Sequence, residues 1–229
     1  MSKSVWEANS DERGILEGDL ICGGLDLSAR TDLTSLVLIG KGQDDHIGVE
    51  AYFWMPGDTI YDRSKEDRQP YDLWAKEGYI RTTPGKTVDY EYVVKDIEDI
   101  LGDRELHALG FDRWRIDVFN KELERIGLEL PLVPVGQGYK DMSPALDNLE
   151  ADLLNGRICH GNNPVLTMCA ANAVVTKDTA ENRKLDKHKA TGRIDGMVAL
   201  TISEFVLNSE IEESIPASPW EDENYTIVR

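Results

Sequence analysis

Residues 20–39 read LICGGLDLSARTDLTSLVLI, and their alternation decides the fold. From Leu20 to Ser28, Ile21, Gly23, Leu25 and Leu27 fall on one face, and Cys22, Gly24, Asp26 and Ser28 on the other. That is the period of a strand with an acid on its second face. Ala29–Asp32 supplies a turn, Leu33–Ile39 a continuous apolar strand, Gly40–Asp45 a second turn and His46–Met55 a third strand. Sequential strands with short connections form an antiparallel meander.

Working outward, Pro56–Gln69 is polar and is expected as a surface excursion. Tyr71–Lys76 reads as a short helix and Val88–Leu101 as a longer one, with Val93, Val94, Ile97 and Leu101 on one stripe. Leu106–Phe111 is a buried strand that ends at Asp112, Ile116–Ile126 is a helix stopped by Gly127, and Leu132–Val135 is a short strand. Ser143–Leu154 is expected as a helix with Ser143 as its cap and Pro144 in its first turn. Pro164–Val174 is helical, Thr176–Arg193 a polar loop or hairpin, and Ile194–Leu207 a final helix. The order implies an α/β fold: a mixed sheet, an antiparallel three-strand meander plus parallel strands, flanked by helices.

The flanks have a different composition. Residues 1–20 are polar and acidic, with Trp6 the sole large anchor, and read as an N-terminal linker or adaptor. Residues 21–209 form the folded domain. Residues 210–229 hold six acids, two prolines and one arginine, and read as an acidic C-terminal tail in which Trp220 and Tyr225 could contact a partner.

The 229 residues carry 25 Lys and Arg against 43 Asp and Glu, a net charge of −18. That argues against attraction of nucleic acid or anionic membrane by the whole surface, but leaves room for a local basic groove. No apolar run reaches the roughly 20 residues that span a bilayer. Cys22, Cys159 and Cys169 have no CxxC spacing and read as buried thiols of a reducing compartment.

Three acids stand out by position: Asp26 in the first strand, Asp112 at the end of the Leu106–Phe111 strand, and Asp195 at the start of the last helix. Each is embedded in apolar sequence, where an unpaired carboxylate is costly. In such a sheet the two strands are neighbours, and the last helix can bring Asp195 across their ends. Three converging carboxylates repel one another unless cations lie between them, and oxygen-only ligands suit Mg²⁺ or Mn²⁺ over Zn²⁺. Two such ions can activate water and stabilise a departing 3′ oxygen in phosphodiester cleavage. The plainer alternative keeps the acids separate, with Asp112 paired to Arg113 or Arg115 and Asp195 serving the helix dipole. Asp32, six residues after Asp26 across a turn, is a second-tier acid that could approach the site but more simply caps the turn.

Just before Asp195, residues 177–193 hold six cations against three acids. A basic strip beside an acidic site suits a phosphate backbone, which Lys184, Lys187, Lys189 and Arg193 would guide; a solvated loop is the alternative. Gly85-Lys86-Thr87 is no P-loop, because position 80 is Ile80 where that motif needs Gly. The four histidines have no metal spacing.

Four blocks then carry a resemblance: GLDLSARTDLTSLVLI (24–39), PYDLWAKEGYIRTTPGKTVDY (70–90), FDRWRID (111–117) and, after Ala171-Asn172-Ala173, DKHKATGRIDGMVALTISEF (186–205). In that order the chain resembles the C-terminal nuclease domain of the large terminase subunit of tailed bacteriophages. The resemblance implies an RNase H-like domain over residues 21–209 and a metal-dependent endonuclease that cuts concatemeric double-stranded viral DNA during packaging. Its catalytic and metal-binding acids carry over to Asp26, Asp112 and Asp195, with Asp26 expected to bridge two Mg²⁺ or Mn²⁺ ions and each of the others to hold one. It further implies a terminase ATPase domain, a small terminase subunit and a portal as partners, no membrane, and the host bacterial cytoplasm as the place of action. No P-loop motor is present here, so the chain is expected to be the nuclease domain alone, with Met1 an expression start. Two alternatives of other classes are an actin-like ATPase or sugar kinase, which opens on a similar acid-bearing strand and meander, and a non-catalytic docking module of a packaging complex.

Overall fold

A computed structural model shows the meander and its parallel extension as one sheet; it describes residues 2–27, 31–112 and 116–214. The strands are β1 (Leu20–Asp26), β2 (Thr34–Lys41), β3 (Ile47–Pro56), β4 (Arg81–Thr83), β5 (Ala108–Asp112), β6 (Leu132–Val135) and β7 (Ile158–Cys159). They lie in the order β4-β3-β2-β1-β5-β6, with β7 also paired to β3. β1–β2 and β2–β3 are antiparallel, whereas β5 runs parallel to β1 and β6 parallel to β5. Two further strands, β8 (Val175–Lys177) and β9 (Arg183–Leu185), make a separate hairpin within the stretch expected as loop or hairpin. The expected mixed α/β sheet is thus the observed one.

Helices α1 (Lys3–Ala8), α2 (Ile60–Asp67), α3 (Tyr71–Lys76), α4 (Tyr90–Leu101), α5 (Ile116–Ile126), α6 (Tyr139–Leu154), α7 (Pro164–Asn172) and α8 (Asp195–Ser214) cover the sheet. Strand alternation splits the core in two. Leu25, Leu36, Leu38, Leu109 and Phe111 point to one face and pack on Val93, Val94 and Ile97 of α4 and on Phe119 of α5. Cys22, Val37, Ile39, Phe53 and Ala108 point to the other and meet α8, α7 and α6. Each large side chain removed from water in this way contributes about 1.5–3 kcal/mol. Asp26, two residues on from Gly24 and four from Cys22, therefore belongs to the α8 face.

Several local expectations are corrected. The polar stretch after Pro56 lies at the surface as expected but is helical: Gly57–Thr59 forms a 3-10 turn and α2 follows. Its residues are mostly polar because the helix buries none of them fully. The helix expected from Ser143 begins at Tyr139, so Pro144 lies inside α6 and Gly138 precedes its first residue. Ser143 does not cap it; its hydroxyl accepts from the Arg183 amide at 3.0 Å. Strands β4 and β7 went unread because three and two residues carry no period of their own; β3 selects them by pairing.

The segment expected as a linker also packs. The Trp6 ring is 4% exposed and stacks on His160 at 4.0 Å, and its Nε1 donates to Thr167 Oγ1 at 3.1 Å. Asn9 Nδ2 donates to the Leu153 carbonyl at 2.9 Å. One aromatic anchor holds a polar segment because its partners, His160 and Thr167, are distant in sequence. Trp220 and Tyr225 lie outside the described residues.

Candidate active site

Asp26 and Asp112 end neighbouring parallel strands. The last paired residues are Leu25 and Phe111, so the two acids occupy the next rung, at the carboxyl edge where open α/β sheets bind ligands. Alternation puts both on the α8 side: Ala108 and Gly110 precede Asp112 on that face as Cys22 and Gly24 precede Asp26. Arg113 and Arg115, the alternative partners of Asp112, lie outside the described residues.

Asp195 reaches this edge because α8 lies unusually close to the sheet. A Cβ on Gly24 would stand 2.0 Å from the Ala199 carbonyl oxygen and 2.6 Å from the Ser203 amide. A Cβ on Gly110 would stand 2.5 Å from Ile202 Cγ2. Gly196 does the same at the helix start, where a Cβ would meet the Phe53 ring at 2.9 Å. Three missing side chains thus let α8 settle on β1, β5 and β3 with Asp195 as its first residue.

The electrostatics follow from this convergence. Asp26 is 4% exposed. Burial pushes its carboxyl up to about 7; the charges of Asp195 and Asp112 add to the rise, and Lys187 opposes it. The Lys187 ammonium donates to Asp26 Oδ2 at 2.6 Å and to Asp195 Oδ1 at 3.3 Å. Burial alone would favour a neutral Lys187, but Asp26 and Asp195 outweigh it and hold the amine above its ordinary range. Among the described residues no group of three or more His, Cys, Asp or Glu stands ready-made as a metal cradle. The site nevertheless fits a divalent ion. Its donors are carboxylate oxygens, its negative charge exceeds what one ammonium neutralises, and that ammonium already lies as a cation between two of the acids.

The other residues read from the sequence fall around this centre. Asp32 Oδ1 accepts from Arg193 Nη1 at 2.9 Å and from Arg63 Nη2 at 3.3 Å. Arg193 Nε donates to Asp67 Oδ2 at 3.0 Å, and the Tyr71 hydroxyl donates to the same oxygen at 3.1 Å. This network braces the residue two before Asp195, so Asp32 and Arg193 serve each other beside the three acids. Lys184 lies 4.9 Å over the Tyr139 ring, and Lys189, largely exposed, is 3.8 Å from Asp186. Arg183, counted with the basic strip, is bound to Asp147 and Glu150 of α6. Arg63, Asp67 and Tyr71 had no signal in the sequence: they join the site only through α2 and α3, and each looks like an ordinary surface residue in its own segment.

Comparison with known proteins gives the chain a family. Residues 1–210 match the family described as terminase large subunit, endonuclease domain. Over 213 residues the chain is 57% identical to the large terminase subunit of Enterobacteria phage HK97, covering 93% of this chain and 42% of that protein. It is 28% identical over 217 residues to protein YmfN of Escherichia coli K12, covering 86% and 46%. The crystal structure of the HK97 large terminase superposes with a TM-score of 0.86 over 90% of this chain and 43% of that one. The large terminase nuclease of thermophilic phage G20c with bound magnesium shares the RNase H-like fold, with a TM-score of 0.52 at 14% identity over 83% of each chain. The chain spans less than half the length of the curated relatives it matches. Among the described residues no helix is long and apolar enough to cross a membrane.

Proposed function

The chain belongs to the terminase large subunit endonuclease family, and from that premise we propose that Asp26, Asp112 and Asp195 form the carboxylate set of a Mg²⁺- or Mn²⁺-dependent endonuclease that cuts concatemeric double-stranded viral DNA at packaging. The observation that carries the reading is Asp26: a carboxylate 4% exposed, level with Asp112 on the neighbouring strand, sharing the Lys187 ammonium with Asp195. The G20c relative has been solved with magnesium and with cobalt bound, which supports a divalent ion here. Asp26, Asp112 and Asp195 would hold the ions, which would supply Lewis acidity to the attacking water and to the departing 3′ oxygen.

The protein's own part is to fix donors and steer the backbone. Asp26 is held by the sheet and by burial, so its oxygens are oriented before substrate arrives. Asp195, at a helix start, is kept in place by the seat of α8 on Gly24 and Gly110. Lys187 and Arg193 stand at the edge of the site, and Lys184 and Lys189 of the same strip would guide the phosphate backbone. Contacts of this kind position DNA without reading bases, so the domain alone should cut with little sequence preference. The ATPase domain, the small terminase subunit and the portal as partners, and the host bacterial cytoplasm as the place of action, belong to the same proposal.

The test is conversion of supercoiled plasmid in Mn²⁺. Wild type is expected to nick and linearise it, whereas Asp26→Asn and Asp195→Asn are expected to lose at least about a hundredfold in rate, the scale of removing one electrostatic anchor. Equal cutting by all three proteins would overturn the assignment.

A further inference from the structure

Lys187 occupies the position that the acids reserve for a positive charge. Its Nζ lies 2.6 Å from Asp26 Oδ2 and 3.3 Å from Asp195 Oδ1, so one ammonium spans the first and third acids. The segment that carries it is braced on both sides. Upstream, the Asp186 amide donates to the Val174 carbonyl at 2.9 Å, and Asp186 Oδ1 accepts from the amides of His188 and Lys189 at 3.0 and 3.2 Å. Downstream, Arg193 is tied to Asp32 and Asp67. The backbone is therefore fixed while the four-carbon stem remains able to change rotamer, and the side chain is 41% exposed on its way out.

We propose that Lys187 is a placeholder cation: its ammonium and a divalent ion compete for the same oxygens of Asp26 and Asp195, so that metal enters as Lys187 leaves and a DNA phosphate that takes up the ammonium promotes the exchange. The inference rests on the nuclease reading above and adds to it a coupling between the two ligands. Before metal arrives, the ammonium offsets repulsion among the buried acids. Once it swings out, the same charge stands at the mouth of the site, where a phosphodiester must lie. By linkage, DNA that captures Lys187 tightens metal binding, and metal that expels Lys187 tightens DNA binding by the same factor. An uncut genome would then meet an armed site only where its backbone is already in place.

Two measurements on the full chain test this without relying on cleavage. The first titrates Mn²⁺ alone, by calorimetry and without DNA, into wild type, Lys187→Met, Lys187→Arg and Asp26→Asn. Lys187→Met is expected to bind Mn²⁺ about tenfold more tightly than wild type, within the ordinary range for ligands coupled through one site. Lys187→Arg, which keeps the competing charge, is expected to stay near wild type, and Asp26→Asn to lose binding. The second needs no variant: acylation of lysines by an N-hydroxysuccinimide ester, read by mass spectrometry, is expected to rise severalfold at Lys187 when Mg²⁺ is added. Mn²⁺ affinity unchanged or weakened in Lys187→Met, or Lys187 no more reactive with Mg²⁺ than without, overturns the placeholder and leaves the nuclease reading to stand on plasmid cleavage. No Mn²⁺ binding in any variant overturns both.

Discussion

Glu204 is fully buried in the middle of α8; its Oε2 accepts from Asn208 Nδ2 at 3.2 Å and its Oε1 has no partner. Burial pushes its carboxyl up to about 8, with the charge of Asp152 adding to the rise. The unfolded chain releases this proton in the ordinary carboxylate range, from a reference value of 4.5. Between the two values the native state binds more protons than the unfolded state, so stability falls as pH rises through that window. Glu204→Gln mimics the neutral acid and removes the effect. It is expected to melt close to wild type at pH 5 and clearly above it at pH 9, by about 2–4 °C for each kcal/mol recovered. A difference in Tm that is the same at both pH values would sink this account. Glu204 also shows what is hard to read from sequence. In ALTISEFVL it looks like the polar side of an amphipathic helix, and only the burial of the whole helix reveals it. The three proposed acids were legible for the opposite reason, since each interrupts an apolar run whose period was clear. Lys187 was legible as a cation but not as one turned inward, because charge counting takes every lysine to face water.

At the scale of elements, α8 governs both stability and site. It is apolar on nearly every side because it fills the space between the sheet and α6 and α7, and its Thr201 and Ser203 hydroxyls satisfy themselves on backbone. Thr201 donates to the Met197 carbonyl at 2.8 Å, and Ser203 Oγ lies 2.9 Å from the Val37 carbonyl and 2.8 Å from that of Ala199. The meander, the helices α3 and α5, and strand β6 could be placed from periodicity within a residue or two. The seat of α8 could not, since Gly23-Gly24 in a strand signals a bulge as readily as a close approach. Gly24→Ala puts a methyl group 2.0 Å from a backbone oxygen that has nowhere to go. The helix must lift, which is expected to cost about 3 kcal/mol, the upper end for overpacking, and to separate Asp195 from Asp26. Chemical denaturation gives the first and plasmid cleavage in Mn²⁺ the second. Gly18→Ala makes a poor comparison because that glycine has a φ of +87°; Gly138, with open space at its Cβ and negative φ, is the proper control. Wild-type stability in Gly24→Ala would refute the close seat of the helix.

For the whole molecule the issue is how a chain of net charge −18 would hold the polyanion proposed as its substrate. Much of that charge lies at the ends: residues 1–20 carry five acids and two cations, and residues 210–229 six acids and one arginine. The basic strip is less basic than its composition suggests, because Arg183 is bound to α6, Lys177 pairs with Glu181 at 2.6 Å, and Arg193 and Lys187 are held by acids of the site. On the proposed reading four cations at most, Lys184, Lys187, Lys189 and Arg193, are available to meet a phosphate there. Each neutralised phosphate contributes about −0.9 to the slope of log affinity against log salt, so a duplex of about 20 base pairs should bind weakly with a slope no steeper than about −4. Fluorescence anisotropy in EDTA over a range of KCl measures it, and removal of both Lys184 and Lys189 as alanines is expected to flatten the slope by about 2. A much steeper slope would place the DNA on a basic surface other than this one, and an unchanged slope in the double variant would remove those lysines from the path. Weak, salt-limited contact is what the architecture favours. The buried acids need cations more than the surface needs DNA, so on the proposed reading affinity is expected to rest on ions at the site and on the partners of the packaging motor, while the domain itself would supply the geometry of the cut.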